Sequence, residues 1–542
     1  YFKQFFGKNY KVAISIGDYD SSNSWLADYD VICVTTEKLD SLLRHNVKWV
    51  EDIGLIIVDE IHLLNDSSRG PTLEILLTKL RMILPHAQML GLSATINNAK
   101  QLSDWLGSEL VKSDFRPVKL YEGVSYDSKI HFEDKTGYEL NGSLEPENSI
   151  IDNTLNMNKQ ILVFTSTRKN AESLAERLGR TVTKKLNVDG KSKLKKLSDE
   201  IENVLDNPTH QCKRLSGCIK EGVAFHHAGL LGKQKSLIEN NFRDGVIKAI
   251  VATPTLAMGV NLPAFRVLIR DVKRYYKGEG SAYIPVLEYK QFVGRAGRPQ
   301  YDSYGESILL AKTENDARDL FNHFVLGEPE DITSKLSLES VLRMHILALI
   351  ASNFCNSEKS VIAFFKKTFY ATQYDISEIK HKITDVLSML EGWKFIVSNK
   401  ENISATMIGK RISELYVDPL TASNFLKALS SHSEKQVNEF SFLQIISNSS
   451  EIQPLVSVKS SEIEEMQELI LRRYRHILSE IPEEYDSEFE NFLKSIKTAL
   501  VFENWIAEST EEELLSKFNM APGELYGKLQ VLDWLLYTLH EL

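Results

Sequence analysis

Short apolar runs alternate with helical patterns up to about residue 120, and this alternation restricts the fold more than any other feature. Four runs are predicted to be buried strands, at 12–16, 31–34, 55–58 and 89–92. Three stretches have helical character, at 36–45, 70–83 and 98–106. Because neighbouring parallel strands need helical crossovers, this pattern predicts a doubly wound parallel α/β sheet.

A second alternation of the same kind begins near residue 150 and predicts a second lobe. We expect its strands at 161–164, 222–225, 249–252, 267–269 and 307–311, with helices at 168–178 and 232–243. After about residue 326 the pattern becomes helical, and the runs 393–398 and 403–405 suggest the hairpin of a winged helix. The predicted fold class is α/β plus α.

Composition excludes several classes of protein. The chain has 542 residues, 43% of them hydrophobic and 25% charged, so it can bury a core without a disulfide or a metal. None of its four cysteines forms a C-x-x-C pair, which favours free thiols in a reducing compartment. No apolar run reaches the length of about 18 residues that a membrane span needs. The net charge of −10 requires any nucleic-acid site to concentrate lysine and arginine locally.

An acidic motif, Asp59-Glu60-Ile61-His62, follows the apolar run 55–58. Ligands bind at the carboxyl ends of strands in an open α/β sheet. Two carboxylates there can divide the work of an ATPase: Asp59 holds Mg²⁺ through water, and Glu60 orients and deprotonates the attacking water. The alternative is an acidic surface turn after a strand. Ser93-Ala94-Thr95 follows the run 89–92, and its hydroxyl residues are expected to couple the acidic pair to neighbouring groups.

A basic motif runs from Gln291 to Pro299 and contains Arg295 and Arg298. On a helix, two arginines three residues apart share a face. Their guanidinium groups suit the charge that develops on a γ-phosphate. The alternative is a basic helix end that pairs with carboxylates, and the accompanying glutamine and glycines favour the phosphate interpretation.

Hydroxyl residues follow three predicted strands. The candidates are Thr35 and Thr36, then Ser166, Thr167 and Arg168, then Thr253 and Thr255. Such residues bind nucleic-acid phosphates at helix N-termini, and Thr36 is a plausible N-cap. One such group would be only a cap, whereas three at strand ends predict a phosphate track across both lobes.

Three further features restrict the chemistry. His226-His227 is a poor metal chelate because adjacent strand residues face opposite sides, so we expect a structural or nucleic-acid-contact role. The lysine-rich stretch 183–205 either contacts phosphates or forms a solvated helix or loop. No G-x-x-x-x-G-K-[ST] motif occurs, so we expect the ATP phosphate cradle on a strand–helix unit before Tyr1.

These motifs resemble the Ski-like class of superfamily-2 helicases, and more closely the archaeal Holliday-junction-migration DNA helicases that restart stalled forks. The motor strings are DEIH at 59–62, SAT at 93–95, ATPTLAMGVNLP at 252–263 and QFVGRAGRP at 291–299. The supporting strings are GDYDS at 17–21, TTEKLDSLLR at 35–44, AFHHAGL at 224–230, SELYVDPLT at 413–421, SIKTAL at 495–500 and APGEL at 521–525.

The resemblance implies a domain order. It places the remainder of a first RecA-like lobe at 1–123, a second RecA-like lobe at 124–325, a winged helix at 326–411, a helical ratchet domain at 412–500 and the start of a helix-loop-helix domain at 501–542. A strand-separating hairpin is expected at 270–283, where Tyr275, Tyr276 and Tyr283 either stack on bases or pack in the sheet.

The resemblance also implies an activity: ATP-driven 3′-to-5′ translocation on single-stranded DNA, with unwinding of forked or branched duplexes in fork repair and recombination. ATP and Mg²⁺ are the implied cofactors. Gly259 and Asn261 are expected at the nucleotide beside Asp59, Glu60, Arg295 and Arg298. His62 and Gln291 complete the expected catalytic set. An RNA helicase of the same class, or a nucleic-acid-binding module without catalysis, remains the alternative.

The resemblance weakens in the expected ratchet helix at 460–480, where Met466 takes the place of an aromatic residue and Tyr474 follows only later. Arg472, Arg473 and Arg475 can still grip phosphates there. An archaeal, monomeric protein of the cytoplasm and nucleoid is implied, with fork or recombination proteins as partners.

Overall fold

A computed structural model describes residues 9–17, 20, 23–113, 115–276, 280–399, 402–430, 435–520 and 522–542. The chain divides into two compact units. The first consists of Tyr1–Val111, Asp331–Glu508 and Lys528–Leu542, and the second of Lys112–Glu330 and Ser509–Gly527.

The first unit begins with the predicted alternation of strands and helices. Its strands are β1 (Val12–Ser15), β2 (Val31–Val34), β3 (Leu55–Val58) and β4 (Gln88–Gly91), and its helices are α1 (Thr36–Arg44), α2 (Gly70–Ile83) and α3 (Ala99–Leu106). β1 pairs in parallel with β2, and β3 pairs in parallel with β4. Short 3-10 helices follow β1, α1 and β3, at Ser24–Asp28, Lys48–Asp52 and Ile61–Asn65.

The prediction that these strands are buried is wrong for one face of β3 and β4. Ile56 packs against Leu76 and Leu80 of α2. Side chains alternate across a strand, so Leu55 and Ile57 face the opposite side, where they are 51% and 55% exposed. The apolar pattern correctly marks residues suited to burial, but within the described part of the chain only one face of β3 receives a helical cover.

The second unit contains one large sheet. Its strands are β5 (Lys119–Tyr126), β6 (Lys129–Phe132), β7 (Gly137–Glu139), β8 (Ile161–Phe164), β9 (Val223–His226), β10 (Ala249–Ala252), β11 (Arg266–Ile269) and β14 (Tyr304–Leu310), with the hairpin β12 (Lys273–Tyr276) and β13 (Gly280–Tyr283) outside it. The spatial order is β7-β6-β5-β14-β11-β8-β10-β9. All neighbours from β5 to β9 are parallel, and β6 and β7 form an antiparallel edge. The predicted parallel lobe is confirmed.

Helices cover this sheet. They are α4 (Pro146–Asn156), α5 (Arg168–Thr183), α6 (Val188–Glu202), α7 (His210–Lys220), α8 (Gly232–Arg243), α9 (Thr255–Gly259), α10 (Val286–Val293) and α11 (Glu314–Leu320), followed by a π-helix at Phe321–Val325. Strands β8 to β11 are buried along their whole length, as parallel strands with two covered faces should be. Register aligns Phe164, Ala252 and His226 at the carboxyl ends of β8, β10 and β9. The residues that follow these ends therefore lie along one edge of the sheet.

The remainder of the first unit is mainly helical. Its elements are α12 (Glu339–Ala351), α13 (Glu358–Phe365), α14 (Tyr370–Gln373), α15 (Ile376–Gly392), β15 (Ile396–Asn399), β16 (Asn402–Ala405), α16 (Met407–Glu414), α17 (Pro419–Ser430), α18 (Glu439–Ser447), α19 (Ile463–Arg472) and α20 (Phe489–Ile506). The antiparallel pair β15–β16 confirms the predicted winged-helix hairpin. Two further helices follow in the chain: α21 (Glu511–Phe518) belongs to the second unit, and α22 (Pro522–Glu541) begins in the second unit and ends in the first. No helix in the described ranges is long and apolar enough to cross a membrane.

The helix predicted at 460–480 is shorter than predicted, and its role as a ratchet stays a prediction. It is α19, which ends at Arg472, and 3-10 turns at Ser460–Glu462 and Tyr474–His476 flank it. Met466 is buried in the core, whereas Tyr474 is 56% exposed and lies under the ammonium of Lys435. Arg473 pairs with Glu503. Met466, which takes the place of the expected aromatic residue, is therefore in the core, and the later Tyr474 is on the surface.

Candidate active site and nucleic-acid interface

The acidic motif leaves β3 through a turn with an unusual backbone. Glu60 has φ +53°, in the left-handed region that non-glycine residues adopt only at a cost of about 1–2 kcal/mol. Its N–H donates to Oδ1 of Asp59 at 3.0 Å, and its side chain is 52% exposed. Residues held in such conformations concentrate at functional sites. The turn keeps both carboxylates at the carboxyl end of the strand, where solvent and a ligand can reach them.

His62 connects this turn to the segment after β4. Its side chain is buried, and the backbone N–H of Ala94 donates to its Nδ1 at 3.2 Å. A second bond joins the N–H of Ile61 to the carbonyl of Leu92 at 2.9 Å. Burial lowers the pKa of His62 despite the nearby carboxylates of Glu60 and Asp59. A neutral imidazole is the form that can accept the Ala94 bond.

The sequence therefore identified the correct segment but not the connecting atom. Ser93 and Thr95 were predicted to couple the acidic pair to neighbouring groups, and both side chains are exposed. The bond to the DEIH motif comes instead from the backbone of Ala94 between them. A backbone donor has no sequence signature, so only its position between two motif residues could have suggested it.

The hydroxyl pair after β2 caps α1 differently from the prediction. Thr35, not Thr36, is the N-cap: it has extended backbone angles and its Oγ1 accepts from the N–H of Lys38 at 3.3 Å. Thr36 is the first residue of the helix. The prediction was one residue late because either threonine satisfies the N-cap preference, and only the backbone angles distinguish them.

A carboxylate already lies at the predicted phosphate site before α5. Thr167 is the N-cap, and its Oγ1 accepts from the N–H of Asn170 at 3.1 Å. Asp271 accepts from both the N–H and the hydroxyl of Ser166, at 3.1 and 3.3 Å. Arg168 forms an ion pair with Glu524. The three candidates lie together as expected, and two of them, Ser166 and Arg168, already bind carboxylates.

The threonine motif after β10 borders a cavity. The hydroxyls of Thr253 and Thr255 lie 3.0 Å apart, and the N–H of Thr253 donates to the carbonyl of His226. The cavity has a volume of about 300 Å³, and its lining includes His226, Lys235, Glu239 and Thr255. Candidate residues Gly259 and Asn261 follow, Gly259 as the last residue of α9.

The adjacent histidines make different contacts. His226 Nε2 lies 3.1 Å from Glu239, and His227 Nε2 lies 3.1 Å from Glu172. Burial lowers the pKa of His226. In the described residues no cluster of three or more His, Cys, Asp or Glu side chains could hold a metal. The two rings face different carboxylates, although only His226 belongs to β9 and His227 follows the strand.

The basic motif from Gln291 to Pro299, called the arginine motif from here on, does not continue the helix. This corrects the prediction that Arg295 and Arg298 share a helical face. α10 ends at Val293, and Gly294 follows as its C-cap. Gly297 has φ +89°, and a Cβ there would lie 2.7 Å from Cγ1 of Val118. A tight turn therefore follows the helix. It packs against β14 and against Val118, directly before β5, and only glycine fits at position 297.

The two arginines are consequently held separately. Arg295 donates from Nη2 to the carbonyl of Ala257 in α9. Arg298 donates to Asp302 through Nε at 2.9 Å and to Gln160 through Nη1 at 2.6 Å. Burial raises the pKa of Asp302, but the bonds from Arg298 and Lys159 outweigh it and hold that pKa below its usual value. Gln291 lies in the last turn of α10, partly buried.

Two antiparallel strands form a hairpin within the predicted range 270–283, and its role in strand separation stays a prediction. β12 and β13 pair antiparallel from Lys273–Tyr283 to Tyr276–Gly280. The turn at 277–279 and the side chains of Tyr275 and Tyr276 lie outside the described residues. Tyr283 packs against the rings of His323 and Phe324, so it contributes to packing.

Four family descriptions match the chain. They are a DEAD/DEAH box helicase at 1–102, a helicase conserved C-terminal domain at 199–300, a helix-turn-helix domain at 305–397 and an archaeal helicase domain 4 at 440–542. Together they cover both lobes, the winged-helix region and the helical C-terminal part. They confirm the predicted fold class.

Curated relatives match nearly the whole chain. The ATP-dependent DNA helicase Hel308 of Methanocella arvoryzae is 40% identical over 536 residues, which is 98% of this chain and 72% of the relative. The protein of the same name from Pyrococcus horikoshii is 40% identical over 535 residues, with the same coverage. The one from Caldivirga maquilingensis is 35% identical over 545 residues, again 98% and 72%.

Proposed function

The chain belongs to the Hel308 family of archaeal ATP-dependent DNA helicases, and on this basis we propose that it uses ATP hydrolysis to move 3′ to 5′ along single-stranded DNA and to unwind forked or branched duplexes. The observation that carries the proposal in this molecule is the Glu60 turn with its His62–Ala94 bond. The bond joins the turn that carries Asp59 and Glu60, to which we assign hydrolysis, to the segment that follows β4. Repair and recombination at replication forks are the proposed setting.

In the first unit, Asp59 would hold Mg²⁺ through water, because its carboxylate is exposed at the end of a strand beside that of Glu60. Bound with ATP, this ion would neutralise charge on the phosphates. Glu60 orients the attacking water and takes its proton. His62 fixes the turn by accepting the Ala94 bond.

In the second unit, we assign Gln291, Arg295 and Arg298 to the nucleotide, with Gly259 and Asn261. Arg298 is bound to Asp302 in this structure, so contact with a γ-phosphate requires its guanidinium to exchange one anion for another. Such an exchange suits a group that must bind and release phosphate in each cycle. Asp302 keeps the guanidinium oriented between cycles.

DNA phosphates are the proposed ligands of the hydroxyl and basic residues at the strand ends. These residues are Thr35, Thr36, Ser166, Thr167, Arg168, Thr253 and Thr255. On DNA binding, Ser166 would exchange the carboxylate of Asp271 for a phosphate. Arg168 would likewise exchange the carboxylate of Glu524 for a phosphate. Tyr275 and Tyr276 on the hairpin are assigned to the point where the strands separate.

The proposed setting follows from the substrate. A protein that acts on chromosomal forks works in the cytoplasm at the nucleoid, and we propose that this chain acts there as a monomer. Fork or recombination proteins are its proposed partners.

The test uses the full-length protein and the variant Glu60→Gln. We expect ATP hydrolysis stimulated by single-stranded DNA to fall by roughly a hundredfold or more, because the general base is removed. Binding of single-stranded DNA should change less than about twofold, since phosphate contacts dominate it. Glu51→Gln, an exposed acidic residue of the Lys48–Asp52 turn, is the matched control and should leave both properties unchanged.

Forked duplexes with a 3′ tail, a 5′ tail or an RNA 3′ tail test direction and substrate. Unwinding is expected only from the 3′ DNA tail. Normal hydrolysis by Glu60→Gln contradicts the catalytic assignment, unwinding from the 5′ tail contradicts the direction, and stronger stimulation by RNA than by DNA makes the protein an RNA helicase.

A further inference from the structure

Helix α10 lies between the hairpin and the arginine motif. The N–H of Ile284 donates to the carbonyl of Val272 at 2.9 Å and closes the base of the hairpin directly before the helix. After the eight residues of the helix, the chain reaches Gly294 and Arg295. A helix of eight residues is about 12 Å long. The hairpin and Arg295 are therefore joined by one short, regular element within the second unit.

The first turn of α10 is fixed by a carboxylate. Glu330 accepts from the N–H of Val286 at 2.7 Å and from the N–H of Leu287 at 3.0 Å. Two of the helix's otherwise unbonded N–H groups are satisfied by one anion at its positive end. The start of α10 cannot shift along its axis without breaking both bonds.

The same turn carries the only described ion pair that joins α10 to the hairpin. Arg274 of β12 donates from Nη2 to Oε1 of Glu288 at 2.6 Å. The side chain of Glu288 is 8% exposed and that of Arg274 is 37% exposed. A carboxylate this well buried depends on its partner, because removal of the arginine leaves a buried charge without compensation.

The last turns of α10 are fixed to the sheet. Lys290 donates to both carboxylate oxygens of Glu122, at 3.1 and 2.9 Å. The ring of Phe292 stacks on Phe164 with centroids 4.4 Å apart. Beyond the helix, Arg295 donates to the carbonyl of Ala257 in α9. Since packed interiors do not deform continuously, a movement at Arg295 is shared by the whole helix and reaches Glu288.

We propose that Arg274 and Glu288 are positioning residues for strand separation: their ion pair fixes the hairpin to α10 and so couples it to the arginine motif. This inference rests on the proposed function, in which the hairpin separates the strands. It predicts that breaking the pair uncouples unwinding from translocation. ATP hydrolysis and binding of single-stranded DNA use other residues and should continue.

The experiment compares Arg274→Met, Glu288→Gln and the double variant in the full-length protein. Each single change should slow unwinding of a 3′-tailed fork about tenfold, within the range of coupling between contacting residues. Hydrolysis stimulated by single-stranded DNA should stay within about twofold. The double variant should be no worse than either single variant, because the second change has no contact left to remove.

Two further variants separate a positioning role from general damage. Arg274→Lys keeps the charge and should recover most of the unwinding. Glu314→Gln breaks an exposed ion pair with Arg318 in the same unit, at 2.6 Å, and should have no effect. Thermal unfolding of every variant is measured alongside. If Arg274→Met is destabilised, the rate of unwinding by Arg274→Lys tests the positioning role in its place.

The outcomes are distinct. If the single variants unwind forks normally, or if hydrolysis falls in parallel with unwinding, or if Arg274→Lys fails to recover, the inference is overturned while the proposed function stands. If the unmodified protein does not unwind forks at all, the proposed function fails first.

Discussion

Asp302 accepts hydrogen bonds from three nitrogen atoms of Arg298: the backbone N, Nε and Nη2, at 3.1, 2.9 and 3.2 Å. The carboxylate also binds Lys159 at 2.6 Å and its side chain is fully buried. A single acidic residue therefore holds one of the two arginines assigned to the nucleotide. The position of Arg298 is set by its own unit before any ligand binds.

Asp302→Asn should weaken that hold. The amide keeps the shape of the carboxylate but removes the charge that Arg298 and Lys159 share, so we expect a loss of roughly 2 kcal/mol in the free energy of unfolding. DNA-stimulated hydrolysis should also fall, because Arg298 loses its orientation. Urea denaturation and steady-state kinetics measure the two effects. Asp319→Asn, exposed on α11, is the control, and equal behaviour of the two variants would contradict the prediction.

His62→Ala should uncouple hydrolysis from DNA. The change leaves the N–H of Ala94 without its acceptor, a cost of about 1–3 kcal/mol. We expect DNA stimulation of hydrolysis to fall about tenfold while the KM for ATP changes little. His86→Ala, an exposed turn residue, should behave like the unmodified protein. An unchanged stimulation factor would show that the bond has no coupling role.

Glu524→Gln should strengthen binding of single-stranded DNA. The change removes the negative charge that pairs with Arg168. Arg168 then no longer breaks an ion pair with position 524 when it binds a phosphate. Arg168→Gln should do the opposite and lower the slope of log affinity against log salt by about 0.7, the value for one phosphate contact on a single strand. Fluorescence anisotropy across a salt series measures both. Asp533→Asn, exposed on α22, is the control, and a slope unaffected by Arg168→Gln would remove this residue from the interface.

Glu74 should make the first unit less stable as pH rises. It is fully buried on α2, accepts from Ser334 and from the N–H of Tyr370, and burial raises its pKa from 4.5 to about 7. The folded state thus holds a proton that the unfolded state releases, so the contribution of Glu74 to stability is full below pH 4.5 and is lost as the pH rises through about 7. The total loss is about 3 kcal/mol.

Glu74→Gln removes this ionisation; its carbonyl oxygen can accept from the N–H of Tyr370, and its amide NH2 can donate to the hydroxyl of Ser334. The difference in unfolding free energy between this variant and the unmodified chain should change by about 3 kcal/mol between pH 4.5 and 7, because all other titrating groups are common to both. Denaturant titrations at several pH values in this window test it. Parallel profiles for the two proteins would assign the pH dependence to other groups.

The sequence predicted the backbone of this site better than its side-chain contacts. Strand ends after 58, 164 and 252 were expected and carry Asp59, Ser166 and Thr253. The carboxylates that bind the predicted cations and hydroxyls were not expected. Asp271 is 105 residues from Ser166, and such a separation has no local pattern. Asp302, four residues after Arg298, is the one partner that spacing could have suggested.

Two errors have backbone causes. The shared helical face of Arg295 and Arg298 failed because Gly297 adopts a positive φ against Val118, a contact between segments far apart in the chain. The buried strands of the first unit failed on one face, because apolar alternation tells which side chains suit burial but not what covers them. Leu55 and Ile57 fit the pattern of a core and are exposed.

The left-handed backbone of Glu60 shows how this position was selected. Glycine or asparagine would adopt φ +53° more readily, and a chain optimised only for folding would carry one of them there. Sequence design that rewards backbone preference would therefore replace Glu60 first, and on the proposed function the product would be a more stable but inactive protein. An engineer who wants a more heat-resistant version of this motor should exclude position 60 from the search.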